Sequence, residues 1–311
     1  LLSVSKVKSH AALDDVPMTQ DDGWQRAGPQ SICGGQATNG SQYPKDQYCQ
    51  PHCAGCTATW ATEFKRHTWG YFSAVCFVHG RVIRQVTGRP QGLIAASWGG
   101  SPIEIWSPPG VSTSCPGAVA PSRADQLSTA WNSMVKPLTG FPIKGAVWFQ
   151  GESNYPEDWN ATMSSGKLAY PCKQSALIAE WRTAWAAVNS PWGNQNFSFV
   201  LQQLAAWDTL GPPASGPGLA PFRYGQSASQ MDMQNVGMAV AHDLYDPESP
   251  CTSIHPRNKT AMGERLARLS LSLGFPGALK DISRPHLRVE NIVVAKAEII
   301  VRFHSEDLAS E

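Results

Sequence analysis

His255, the run Gln150 to Asn154, and the paired glycines Gly99 and Gly100 are the residues of this 311-residue chain whose types suit acyl transfer. Ester hydrolysis by a serine enzyme needs a nucleophile, a base to take its proton, and donors for the oxyanion. His255 precedes Pro256 and a helix start, where no apolar periodicity demands a histidine. Taken alone, it reads as a loop histidine with a structural hydrogen bond more readily than as a base. Val147-Trp148-Phe149-Gln150-Gly151-Glu152-Ser153-Asn154 is a short apolar run that ends abruptly in polar side chains. A buried parallel strand delivers a site at its carboxyl end in this way; a polar turn after a strand is the plainer alternative. In Trp98-Gly99-Gly100-Ser101 the glycines let backbone N–H groups approach a reacting carbonyl with no side chain in the way. An ordinary glycine turn would look the same.

The elements that must position these residues alternate. From Tyr71 the pattern turns helical, with Phe72, Val75, Cys76, His79, Val82, Ile83 and Val86 at helical spacing. Gly88 supplies a C-cap and Pro90 forbids continuation. A strand follows at 92–96. Ser122 then caps a helix carrying Leu127, Trp131, Met134 and Leu138, and the next strand is 143–149. After a long loop over 155–171 comes a helix with Leu177, Ile178, Trp181 and Trp185, then strand 197–204, a helix from about 222 to 233, and strand 236–241. Beyond His255 a helix carries Met262, Leu266 and Leu269 and ends at Gly274-Phe275-Pro276. Helices alternating with apolar, non-alternating strands predict an α/β fold, a parallel sheet covered on both faces, with ligands at the carboxyl ends of the strands. Residues 286–302 differ: two β-branched runs flank charged residues, as in an antiparallel hairpin or edge.

A net charge of +1 gives no electrostatic footprint for nucleic acid. No apolar stretch reaches the ~18 residues of a membrane span. Eight cysteines, most in loop-like stretches, suggest disulfides and an oxidising compartment. Glycosylation acceptor patterns at Asn39, Asn160, Asn196 and Asn258 add to the case for a secretory route, secreted or lysosomal. Asn258 is expected to stay unmodified, beside the candidate base. Residues 31–60 read as a disulfide-stapled insertion. Cys49, Cys53 and Cys56 with His52 also invite a zinc reading, but no second CxxC pair follows, so disulfides are preferred and no metal or cofactor is expected. Twelve tryptophans read as core side chains, with sugar-stacking platforms as the alternative.

The three motifs, the third being Ser253-Ile254-His255-Pro256-Arg257-Asn258-Lys259, together resemble the sialate O-acetylesterase family of the SGNH (GDSL-like) hydrolase superfamily. The resemblance spans roughly residues 60–275. It implies a three-layer α/β/α esterase domain over 1–280, with 281–311 beginning a β-rich C-terminal region. It implies removal of O-acetyl groups from sialic acid or related acetylated carbohydrates through a serine acyl-enzyme, without metal. In that scheme His255 is the general base, Gln150 donates its amide to the oxyanion, and Gly99 or Gly100 donates a backbone N–H. Glu152 fixes the loop or supports the histidine, Asn154 holds the loop or the substrate, Trp98 and Trp106 wall the pocket, and Arg223 helps to bind substrate.

The chain also departs from the pattern. The superfamily often has an aspartate three residues before the histidine, where this chain has Thr252. Among Asp243, Asp246 and Glu248, Asp246 is favoured to orient His255; the alternatives are loop acids without a role and a dyad. Gly225-Gln226-Ser227 mimics the family's nucleophile motif Gly-Gln-Ser-Asn-Met, but it follows the third motif and lies in a helix, so Ser227 is not expected to be the nucleophile. The resemblance places the nucleophile block before Leu1, and the chain alone is expected to be nearly inactive. A non-catalytic carbohydrate-binding relative and an acetylxylan-type esterase are the rival readings.

Overall fold

The computed structural model describes residues 2–4, 8–14, 72–111, 114–116, 126–155, 169–187, 196–207, 219–249, 253–275, 289–295 and 298–303. The 31–60 stretch, Thr252 and the cysteines at 33, 49, 53, 56 and 251 lie outside these residues.

The strands are short, apolar and parallel. β1 (Leu2–Ser3) pairs with β2 (Ile94–Ala95), Leu2 opposite Ile94. β3 (Gly145–Trp148), β4 (Ser198–Gln202) and β5 (Val236–Ala239) form a second parallel ladder in that order, with Val147 opposite Val200 and Val200 opposite Gly237. Side chains alternate across a strand, and β4, buried throughout, shows what each face meets. Phe199 and Leu201 join Trp148, Leu177, Ile178 and Trp181 in one core, whereas Val200 joins Val75, Met262 and Leu266 in another. Burial on both faces explains the continuous apolar runs.

Two long helices and their partners supply the outer layers. α1 (Ala74–Thr87) starts three residues later than the apolar spacing from Tyr71 suggests. Ser73 sets that start: its Oγ accepts the Cys76 N–H at 3.2 Å. Gly88, at φ 68°, ends the helix by donating its N–H to the Arg84 carbonyl. α2 (Tyr170–Ala186) buries Leu177, Ile178, Trp181 and Trp185, and Trp181 stands edge-on to Trp148 at 5.7 Å between centroids. After α3 (Ala220–Gln226) and α4 (Ala228–Asp232), α5 (Lys259–Gly274) packs beside α1 on the opposite face. Trp106, Trp131, Trp148, Trp181 and Trp185 are all core residues; Trp106 therefore does not wall a pocket.

Two helices predicted from spacing are broken. Leu127 to Leu138 form no continuous α-helix: residues 131–135 are a π turn and 136–140 a 3₁₀ turn. Ser128 sits at φ 59°, and Pro137 has no N–H to give the Ser133 carbonyl. Trp131, Met134 and Leu138 are nevertheless buried, so the apolar face outlives the loss of regular helix. The helix expected over 222–233 divides at Ser227, whose Oγ donates to the Tyr224 carbonyl. β6 (Val289–Ala295) and β7 (Glu298–Phe303) form the antiparallel hairpin expected near the end of the chain. Cys115 and Cys172 are joined by a disulfide. Cys76 is free, and burial pushes its thiol up to about 12, so it is no nucleophile.

Candidate active site

Gln150 leaves the end of β3 and enters a buried polar network. Its Nε2 donates to the Ser101 carbonyl at 3.1 Å and to Asn154 Oδ1 at 2.7 Å. Its Oε1 accepts from the Tyr170 hydroxyl at 2.8 Å, and its main-chain carbonyl accepts from Gln226 Nε2 at 3.1 Å. An amide carries two N–H groups, and both are engaged inside the protein. In this arrangement Gln150 holds the loop rather than presenting a free donor. Asn154, wholly buried, passes the connection on. Its Oδ1 also accepts the Ile103 N–H at 2.8 Å, and its Nδ2 donates to Glu104. Glu104 in turn pairs with Lys173 of α2 at 2.7 Å, with both side chains 3% exposed.

The turn that follows is shaped by glycine. Gly151 has φ 146°, and a Cβ there would stand 2.9 Å from Phe222 and 3.0 Å from Leu204. Alanine at Gly151 is expected to cost about 1–3 kcal/mol through strain and crowding, read as a lower urea midpoint at unchanged slope. Gly100 has φ 72° in open space, and Gly99 and Gly100 are both exposed at the end of the β2 arm. Ser101 ties that arm to the core: its Oγ donates to the Trp98 carbonyl and accepts from Trp106 Nε1. Trp98 is half-buried, with Lys8 Nζ 5.8 Å from its ring centroid.

His255 is exposed on the segment entering α5. Ser249 Oγ donates to its carbonyl at 2.6 Å. Asp246 clamps the next turn: Oδ2 accepts the Arg257 main-chain N–H at 2.9 Å and Nε at 2.7 Å, while Oδ1 accepts from the guanidinium at 2.7 Å. Asn258 caps α5 by accepting the Ala261 N–H. Lys259 reaches back toward β3, its Nζ 5.5 Å from the Phe149 ring. Burial raises the Glu152 carboxyl pKa, against its own backbone hydrogen bond and the Lys259 charge. Burial lowers the Lys259 pKa, against the charges of Glu152 and Asp246. Lys259 thus feels the charges of both Glu152 and Asp246.

The Arg257 hydrogen bonds hold Asp246 down at about 2. A depressed carboxylate contributes stability above its unfolded value, near 3.8, and loses it as pH falls through the folded value. The melting-temperature difference between the parent chain and Asp246→Asn is therefore expected to be constant above pH 5 and to shrink only between about pH 4 and pH 2. A difference that changes between pH 5 and pH 8 would contradict this.

Arg223 lies on α3, where its guanidinium donates to His242 Nδ1 at 2.6 Å. Sequence reasoning missed most of the network behind the loop. Glu104 was visible only as the continuation of the Gly-Gly arm, Lys173 and Gln174 carry no motif, and Gln226 stood out only within the Gly225-Gln226-Ser227 mimic. Gln174 Nε2 donates to the Gln226 carbonyl, and Gln226 Oε1 accepts the Leu204 N–H. The available signal was three polar residues of high helix propensity on the apolar faces of α2 and α3. Among the described residues, no group of three or more His, Cys, Asp or Glu is placed to hold a metal ion, and no helix is long and apolar enough to cross a membrane.

Residues 59–272 match the family of carbohydrate esterases described as sialic acid-specific acetylesterase. The chain belongs to this family. Curated relatives named sialate O-acetylesterase, from Pongo abelii and Homo sapiens, are each 37% identical over 211 residues, covering 63% of this chain and 38% of their own. A mouse relative (Mus musculus) of the same name is 32% identical over 234 residues. The chain thus spans about two fifths of the length of these esterases. The crystal structure of a carbohydrate acetylesterase from Xanthomonas citri superposes with a TM-score of 0.65 at 23% identity, covering 97% of this chain and 54% of that one. That likeness supports the α/β fold.

Proposed function

We propose that this chain carries the base-bearing part of a serine esterase that removes O-acetyl groups from sialic acid or another acetylated carbohydrate. The observation that carries the reading is the lock from Gln150 through Asn154 to Glu104. It joins the β2 arm to the β3 loop at one end of the sheet, where the His255 segment also arrives. His255 takes the proton of the serine nucleophile and later activates water. Asp246 acts through Arg257 to set the segment that carries the histidine, and Glu152 with Lys259 sets the field beside it. Gly99 or Gly100 offers a backbone N–H to the oxyanion. Gln150 joins by exchanging its longer bond, to Ser101, for one to the oxyanion. Asn154 holds that loop, and Trp98 flanks the arm. Ser227 is not the nucleophile, since its hydroxyl is held by its own helix at 2.6 Å. No cofactor is needed for this route. The enzyme works in the secretory pathway, secreted or lysosomal, in keeping with the Cys115–Cys172 disulfide.

The test is acetate release from O-acetylated sialic acid and from acetylated xylo-oligosaccharides by the whole purified esterase, serine nucleophile included. Release from the first alone, or from both, supports the esterase reading, and release from xylan esters alone moves the substrate class. Sugar binding without release from either would overturn it in favour of a non-catalytic relative.

A further inference from the structure

Residues at the start of α2 reach deep into the network behind the Gln150 loop. The Tyr170 hydroxyl, 2.8 Å from Gln150 Oε1, also stands 3.1 Å from the Gln150 main-chain carbonyl. Lys173 pairs with Glu104, and Gln174 Nε2 lies 2.8 Å from the Gln226 carbonyl. None of the three is more than 2% exposed. The helix itself gives this turn little support. Ala169, at the N-cap, makes no side-chain hydrogen bond to a free N–H, where serine, threonine, asparagine or aspartate would. Pro171 suits a first turn but has no N–H to give. Lys173 places a positive charge near the end of the helix where the dipole disfavours one.

The support comes from the segment after the β2 arm, which lies against α2. Glu104 meets Lys173, and the Trp106 carbonyl accepts from Trp181 Nε1 at 3.1 Å, about two turns further along the helix. Cys115, 5% exposed, closes a disulfide to Cys172 over a separation of 57 residues. The bond therefore lands between Tyr170, which meets Gln150, and Lys173, which meets Glu104 and through it Asn154.

We propose that the Cys115–Cys172 disulfide is a positioning element of the candidate site, fixing the first turn of α2 so that Tyr170 and Lys173 hold the Gln150 loop in one arrangement. This deepens, and rests on, the esterase reading above: full turnover then requires an oxidised chain. Any disulfide stabilises a fold by restricting the unfolded chain. A positioning role is a separate effect, seen in the folded protein as a Gln150 loop that opens more often once the bond is gone.

Hydrogen exchange, read by mass spectrometry on the full 311-residue chain, tests this without turnover. Cys115→Ala/Cys172→Ala removes the bond. Gly263→Ala, whose Cβ would stand 2.7 Å from Val78 between α1 and α5, is expected to lower stability on the other face of the sheet. With each measured at the same interval below its own melting temperature, the amides of residues 150–155 are expected to exchange at least about tenfold faster in the first variant than in the second. If the double variant does not fold, dithiothreitol replaces it: the reagent passes two electrons and two protons to the bond, leaving two thiols and its own cyclic disulfide. In the whole esterase, serine nucleophile included, loss of the bond is expected to lower kcat about tenfold with KM within about twofold. Tyr170→Phe is expected to cost less kcat in that variant than in the parent, since both act through the same loop. Equal loop exchange in the two variants, an unchanged kcat, or a loss that simply adds to that of Tyr170→Phe would each overturn the proposal. A parent esterase without turnover removes the esterase reading, and the exchange comparison then decides alone whether the bond holds the loop.

Discussion

In the whole esterase, serine nucleophile included, alanine at His255 is expected to lower acetyl-ester hydrolysis at least about a thousandfold in kcat, with KM little changed. The size follows from the role. A base that takes the serine proton acts in the transition state, so its loss falls on kcat rather than on substrate binding. The ring is exposed, so its removal opens no core cavity. The melting temperature is accordingly expected to stay within about 2 °C. The segment keeps its shape without the ring: Ser249 grips the carbonyl of residue 255, Asp246 grips Arg257, and Asn258 caps α5. Asp246→Asn provides the graded comparison. It weakens the clamp two residues away and is expected to lower kcat by about tenfold, moving the histidine rather than removing it. A His255→Ala protein that keeps more than a tenth of parental kcat would reject the assignment, and so would a fall no larger than that of Asp246→Asn.

The positions of the strands and of the motif residues were legible because two strong signals coincide there. Apolar runs such as Phe199 to Leu201 are buried on both faces, and polar residues gather where they end. The C-cap of α1 followed from Gly88, whose chemistry is local, whereas its start at Ser73 was not read from the spacing. The failures are also physical. Leu127 to Leu138 keep helical spacing yet do not form one α-helix, because Ser128 and Pro137 disturb the backbone while the buried face survives. Trp106 has the composition of a sugar platform, but its Nε1 is spent on Ser101 and its ring packs on Trp148 at 6.2 Å between centroids. Gln150 was read as a site residue, but the destination of its two N–H groups was not legible. That depends on Ser101, Asn154 and Tyr170, which only the tertiary fold brings together. Likewise the Glu104–Lys173 pair joins residues 69 apart (173 − 104) that share no motif.

That pair governs the largest expected change in stability. Glu104→Ala leaves the Lys173 ammonium buried without its carboxylate and takes the acceptor from Asn154 Nδ2. Removing one partner of a buried ion pair costs about 3–5 kcal/mol, and urea unfolding of Glu104→Ala and of Lys173→Met is expected to show a loss of that order in each. Replacing both with methionine removes the two charges together and refills the volume, so the double variant is expected to be more stable than either single one. It still falls short of the parent by about 1–3 kcal/mol, because the Asn154 amide loses its acceptor. Single losses below about 1 kcal/mol would show that these charges do not meet in a dry interior. The double variant then separates folding from function. An apolar replacement often serves stability as well as a buried ion pair does, so the carboxylate needs another reason to be where it is. Glu104 is the acceptor that fixes Asn154, and Asn154 fixes Gln150. If the pair serves the site, the folded double variant loses kcat because the Gln150 loop is no longer held in one arrangement. If it keeps parental kcat, the network is structural and Ser101, Tyr170 and Gln226 suffice to hold the loop.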